Sequence, residues 1–245
     1  MMGPMVMSKS GVMANMGNSP YSLAINTLGK RYICEPSQIR NGVFNSGLMM
    51  MEQPEGYVYI LFDSRNLEAA IKEEHEHPHE ERKEFFGMPP MPDSMEAAEA
   101  DVEAILEKEF KKVYVAESVR ELAEMMGVNP DTLESTVDDY NRYCRQGFDA
   151  TCFKDPKYLV SCDRAPYYAV RADLGTDGAF GGILVNGQMR AYRDDMTLLP
   201  NLYVTGDFAS GRFINRAGEK AQILNDMSWA LASGFLAGSY AAESM

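Results

Sequence analysis

The sequence predicts an α/β protein, and three observations carry that prediction. Short runs of β-branched and aromatic residues, above all Tyr57 to Phe62 (YVYILF), are too brief for helices and have the composition of buried strands. Between them lie charged stretches rich in alanine and leucine, opened by Ser, Asn or Pro and closed by Gly, which is how helices are punctuated. The chain is also large enough, at 245 residues with 45% hydrophobic and 24% charged, to bury one large core or two modest ones.

Composition removes several function classes. Acidic residues outnumber basic ones, 36 to 23, for a formal charge of -13. So acidic a surface repels a phosphate backbone, and nucleic acid is not an expected partner. No apolar run reaches the ~18 residues of a membrane helix. The N-terminus lacks a basic segment followed by an apolar one, so the chain as written is expected in the cytoplasm. Cys34, Cys144, Cys152 and Cys162 form no CxxC pair, so reduced thiols are expected. Cys144 and Cys152 are the pair that an oxidising compartment would bring into question.

Taken in order, residues 1–21 are rich in Met, Gly and Ser without a period and read as connection. Tyr21 to Asn26 and Tyr32 to Cys34 flank Gly29-Lys30-Arg31 and read as a hairpin. Tyr57 to Phe62 is a strand closed by Asp63-Ser64. From Asn66 to Phe110 the chain is helical in propensity, broken at Pro78 and at Met88 to Pro92, with a helix beginning after Ser94. Lys112 to Val115 is a short strand. Ser118 and Glu121 form a capping box for a helix ending at Gly127, and Asn129-Pro130 opens another that runs to Gly147. Tyr167 to Val170, Ile183 to Val185 and Leu202 to Thr205 read as strands, and Asn186-Gly187 as a two-residue hairpin turn. A helix studded with small residues runs from Asp226 to about Glu243.

Two groups of residues suggest chemistry. His75, His77 and His79 alternate, and would share one face of an extended segment suited to a metal. Their surroundings, EEHEHPHEER, read instead as a solvated surface, so no metal is expected. Gly206-Asp207 ends a strand, where a carboxylate beside a glycine suits a sugar hydroxyl of a dinucleotide. The helix start at Asn225, Asp226, Met227 and Ser228 offers free backbone amides to an electron-rich group.

Longer stretches resemble a known family. SVRELAEMMGVNPDTLESTVDDYNRYCRQGFDATCFKD (118–155) is similar to the capping domain of flavoproteins of the fumarate reductase/flavocytochrome c type. APYYAVRADLGTDGAFGGILVN (165–186), with Gly181-Gly182, resembles the segment returning to their flavin domain. LPNLYVTGD (199–207) resembles their Leu-Tyr-x-x-Gly-Glu strand, with Asp207 in place of glutamate. GKRYICE (29–35) is similar to their Gly-Lys-Arg-Phe-x-x-Glu, and Asn225 to Met227 to the helix start whose amides face the flavin.

The resemblance implies a substrate-capping domain over 22–163, the C-terminal part of a Rossmann-like FAD-binding domain over 164–245, and a connection over 1–21. It implies FAD as cofactor, a small unsaturated substrate, an external electron donor, and reduction of an activated C=C bond or its reverse. Gly181, Gly182, Gly206, Asp207 and residues Asn225 to Ser228 would contact the cofactor. Arg40 is the implied proton donor, with Arg212 or Arg216 as the family's arginine in the loop after the Gly-Glu strand, and Arg212, Arg216 and Tyr168 next in line to give the proton.

The chain departs from the family in two ways that bear on function. No GxGxxG occurs in it, so the diphosphate-binding turn is expected on a missing N-terminal segment, and the chain alone is expected to hold FAD weakly. It would then be a fragment of an enzyme, a truncated and incompetent remnant, or half of a split flavoprotein completed by a separate N-terminal chain. Where fumarate reductases keep histidines before Gly-Gly, this chain has Thr176-Asp177-Gly178-Ala179-Phe180. That substitution points to aromatic acrylates, enones or steroid-like substrates and away from fumarate.

Overall fold

The computed structural model describes residues 2–6, 8–35, 49–77, 89–109, 112–176, 182–209 and 226–244. Two compact units emerge, Met2–Gly175 and Thr176–Met245. The sequence reading places a boundary at 163/164. In the structure the strand that follows that point pairs with three strands of the first unit.

The first unit is a five-stranded sheet between two layers of helix. Its strands are β1 (Met2–Met5), β2 (Leu23–Asn26), β3 (Tyr57–Asp63), β4 (Val113–Ala116) and β5 (Tyr167–Thr176), in the order β1-β5-β3-β2 with β4 also paired to β5. β3 is antiparallel to β2, with Leu23 opposite Leu61, and to β5, with Ile60 opposite Val170. It is the continuous apolar run of the sequence because both of its faces are covered.

The period of two sorts side chains between those faces. Val58, Ile60, Phe62, Tyr168 and Val170 pack beneath α1 (Gly11–Met16), α2 (Ser64–Glu76) and α3 (Met95–Leu106). Leu23, Ile25, Tyr59, Leu61 and Ala169 pack beneath α4 (Val119–Met126) and α5 (Pro130–Gln146).

The helix punctuation has its expected physical form. Ser118 Oγ accepts from the Glu121 N–H, and Glu121 reaches back to the N–H of Glu117, one residue beyond the cap. Asn129 caps α5, and Gly127 and Gly147 close α4 and α5 in the left-handed conformation. Within α2 lies His75, with His77 as its C-cap, while His79 falls outside the described residues. Among the described residues, no helix is long and apolar enough to cross a membrane, and no group of three His, Cys, Asp or Glu side chains is placed to hold a metal ion.

Two local expectations are corrected. The stretch read as connection contains β1 and α1. Ser10 caps α1, and its hydroxyl donates to Asp101 on α3 at 2.5 Å, while Val12, Met13 and Met16 enter the core. Gly11 permits the approach, since a Cβ there would stand 2.0 Å from the Pro90 carbonyl oxygen. Asn186-Gly187 does not make a two-residue turn. Asn186 O accepts from the Met189 N–H, its Oδ1 from Gln188 and Arg190, and Met189 takes the positive φ of 64°. The asparagine side chain satisfies the inner amides and so stabilises a wider loop.

The second unit contains β6 (Arg190–Tyr192) antiparallel to β7 (Leu198–Tyr203), and α6 (Asp226–Glu243). Ile183 and Val185, read as a strand, make single bridges to Ala209 and Ala191.

Candidate functional site

In the second unit, the chain leaving β7 turns sharply at Gly206, whose φ is 62°. A β-carbon is disfavoured in that region, which explains the glycine. The turn is fastened to α6 by two hydrogen bonds, and a third within the helix orients the serine. Gly206 N–H donates to Ser233 Oγ at 2.9 Å, Trp229 Nε1–H donates to Gly206 O at 3.1 Å, and Ser233 Oγ donates to Trp229 O at 2.6 Å. Ser233 and Trp229 are buried, and with Met189, Ala209 and Ala237 they make the small core of this unit.

A second backbone segment meets the same turn. Ile183 N–H donates to Phe208 O at 2.8 Å, which sets Gly182, at φ 145°, beside it. Gly182, Gly206 and Asp207 are therefore brought together. Asp226 and Met227 open α6, and Ser228 is exposed in its first turn. Arg40, Gly181, Arg212, Arg216 and Asn225 lie outside the described residues.

The residues present fit one end of a flavin cofactor. A ligand at the turn meets bare backbone at two glycines, a part-exposed carboxylate at Asp207 that accepts from hydroxyls, and at α6 the positive end of an 18-residue helix. That chemistry suits a ribityl chain and an electron-rich heterocycle. The diphosphate end finds no glycine-rich fingerprint in the sequence.

The first unit holds a constellation that the sequence reading did not assemble. Arg31 bonds Glu35 through Nε (2.8 Å) and Nη2 (2.5 Å), and Asp149 through Nη1 (2.6 Å). Lys154 Nζ lies 3.5 Å from Glu35 and donates to Ser22 O at 3.3 Å and to the Tyr140 hydroxyl at 3.2 Å. Glu35 also accepts from the Ala24 N–H of β2. All four charged side chains are buried, and two cations face two anions.

Burial opposes the charge on Glu35, yet Lys154 and Arg31 hold its carboxyl below the ordinary value. Burial likewise opposes Asp149, and the N–H of Cys152 and Arg31 outweigh it. Burial pulls Lys154 down, with Glu35 resisting. This network pins the β2 hairpin to the loop after α5. Its four charged members lie within the two segments quoted as family-like, but Arg31 and Asp149 are 118 residues apart and spacing alone does not join them.

Tyr168 is corrected as a reserve proton donor. Its ring stacks on Phe62 at 5.1 Å inside the core, and burial pushes its hydroxyl up to about 12.

Comparison with known proteins places this chemistry. Vinyl phenol reductase of Lactiplantibacillus plantarum is 25% identical over 119 residues, covering 49% of this chain and 24% of that protein. Urocanate reductase of Eggerthella lenta is 22% identical over 215 residues, covering 86% of this chain and 31% of that protein. The chain thus spans at most about a third of these relatives. The open conformation of a flavocytochrome c3 fumarate reductase has the same fold, with a TM-score of 0.61 at 20% identity over 99% of this chain and 36% of that one. Residues 6–218 match the family model described as FAD binding domain, and the chain belongs to that family of FAD-binding proteins.

Proposed function

We propose that this chain is the capping and C-terminal part of an FAD-dependent oxidoreductase that reduces an activated C=C bond, or carries out the reverse dehydrogenation. The observation that carries the reading is the convergence of Gly182, Gly206 and Asp207 on one turn fastened to α6, in a chain whose family binds FAD. The names of the relatives, reductases of a vinyl phenol and of urocanate, support the reaction class. Bound FAD supplies a hydride to one face of the substrate double bond.

The protein's own residues supply the remainder. Asp207 accepts from the cofactor's hydroxyls, and backbone amides at Asn225 to Ser228 stabilise an electron-rich ring. Arg40 gives the proton to the second carbon, and Arg212 and Arg216 hold a polar substituent. The first unit, Met2–Gly175, is the substrate-capping part, and an external donor delivers electrons. A separate or preceding FAD-binding segment holds the diphosphate.

The test uses an FAD-loaded preparation with reduced methyl viologen as donor. Aromatic acrylates or enones should be reduced and fumarate should not. Arg40→Lys should slow substrate reduction by about 10²–10⁴-fold, the range of general acid catalysis, while viologen still reduces the flavin. Fumarate turnover at a comparable rate would overturn the substrate class, and near-normal turnover in Arg40→Lys would move the proton donor elsewhere.

A further inference from the structure

The four cysteines are not equivalent in the fold. Cys162 is buried in the apolar packing under α5, its N–H bonded to Asn141. Cys144, on α5, hydrogen-bonds the Tyr140 side chain. Cys34 and Cys152, although 118 residues apart in sequence, are neighbours in the fold, and the Cys34 side chain raises the Cys152 thiol. Both are only partly buried, so a small oxidant reaches them.

The buried ion network explains why these two meet. Cys34 directly precedes Glu35, which Arg31 grips through two nitrogens. Arg31 also grips Asp149, whose other carboxylate oxygen accepts the Cys152 N–H at 3.0 Å. One guanidinium therefore fixes the backbone on both sides of the thiol pair. Cysteine pairs this close are within reach of disulfide geometry.

We propose that Cys34 and Cys152 are an oxidisable pair, joined in a reversible disulfide when hydrogen peroxide withdraws two electrons from them. Cys34 sulfur, as thiolate, attacks one peroxide oxygen and breaks the O–O bond, giving a Cys34 sulfenic acid and one water. Cys152 sulfur then attacks Cys34 sulfur, the S–O bond breaks, and the hydroxide leaves as a second water with the remaining proton. Two thiols and one peroxide become one disulfide and two waters.

The order of the two steps follows from the surroundings of Cys152. Burial first, then the hydrogen bond and charge of Cys34, push its thiol well above the ordinary value, with Arg31 pulling the other way. Oxidation of Cys34 removes its share of that rise, while burial and Glu35 continue to oppose the Cys152 thiolate and Arg31 to favour it.

The test treats the 245-residue chain with hydrogen peroxide under native conditions, blocks remaining thiols with N-ethylmaleimide after denaturation, and maps peptides by mass spectrometry. Reactive thiols should fall from four to two, with the Cys34 and Cys152 peptides linked, and dithiothreitol should restore all four. Cys144→Ser should leave the link intact, and Cys34→Ser or Cys152→Ser should abolish it. A Cys144–Cys152 link, a link between two chains, irreversible sulfonic acid at Cys34, or four thiols surviving peroxide would each overturn the proposal.

Discussion

The two compact units solve the problem of burying apolar surface in opposite ways. In Met2–Gly175 both faces of the sheet are covered, and the largest side chains, including Phe62, Leu122 and Tyr168, are almost wholly enclosed. In Thr176–Met245 the core is small, and Phe208, Leu231 and Phe235 stand 71%, 70% and 75% exposed. Leu231 and Phe235, four residues apart on α6, share one helical face. Apolar patches of this kind on a folded surface mark contact sites for other protein or ligand. The first unit encloses its apolar surface, whereas the described part of the second leaves large apolar side chains exposed.

The comparison is broken most forcefully from the inside of the first unit. Arg31→Met leaves Glu35 and Asp149 buried without their shared partner, and removing one member of a buried pair costs about 3–5 kcal/mol. Leu122→Ala in the apolar core under α4 opens a cavity and costs about 2–5 kcal/mol. By contrast Arg120, which meets Asp131 and Glu134 in solvent, should be nearly silent when changed to Met. Urea unfolding of the three variants checks the ranking. An Arg31→Met protein as stable as the Arg120→Met one would mean the network is dispensable.

How much of this was legible follows the same divide. β3, α4 and α5 were readable because each carries its own signal: a continuous apolar run, a serine cap with a glutamate behind it, and an Asn-Pro start with a glycine stop. α1 was not, because its six residues, GVMANM, carry little pattern and its stabilisation comes from Asp101, far along the chain. The Asn186 loop was misread because Asn-Gly favours a tight turn by backbone conformation, while here the asparagine side chain bonds two inner amides. At the Gly206 turn, the glycine was predicted from its strand end, but the Ser233 and Trp229 hydrogen bonds join it to a helix whose small residues gave no hint of them. The charged network was spelled in two recognisable motifs, and only the fold joined them.

A milder perturbation is acid. Glu35 and Asp149 both have folded values below their ordinary 4.5 and 3.8. Through that window the unfolded chain binds more protons than the folded one, so stability is complete above about pH 5 and falls as pH drops below the ordinary values. Asp63 runs the other way, because burial raises it against its N–H partners, and its contribution grows toward acid. Among the described residues of the second unit, the counterpart is the exposed Asp195, lowered by bonds to Thr197 and screened by water. The expected result is a urea midpoint that drops between pH 7 and pH 3, with a shallower pH slope in Glu35→Gln. An unchanged slope in that variant would assign acid sensitivity to other carboxylates.

The smallest effect on stability is expected at Leu231, and it sharpens the comparison most. At 70% exposure its side chain has little buried area to lose, so Leu231→Ser should change unfolding free energy by no more than about 0.5 kcal/mol. The same residue type at Leu122 is fully enclosed, and its truncation acts on a packed interior. What Leu231→Ser should change is association. Replacing it together with Phe235→Ser removes two large apolar groups from one face of α6, and sedimentation velocity should show less self-association at a given concentration. The hydrogen bonds from Trp229 and Ser233 to Gly206 lie on the buried side of that helix, so the Gly206 turn should keep its form, read from the Trp229 fluorescence maximum. A loss above 2 kcal/mol, or a shifted Trp229 emission with unchanged association, would show that this face is already packed in solution. The contrast between the units would then have to be abandoned.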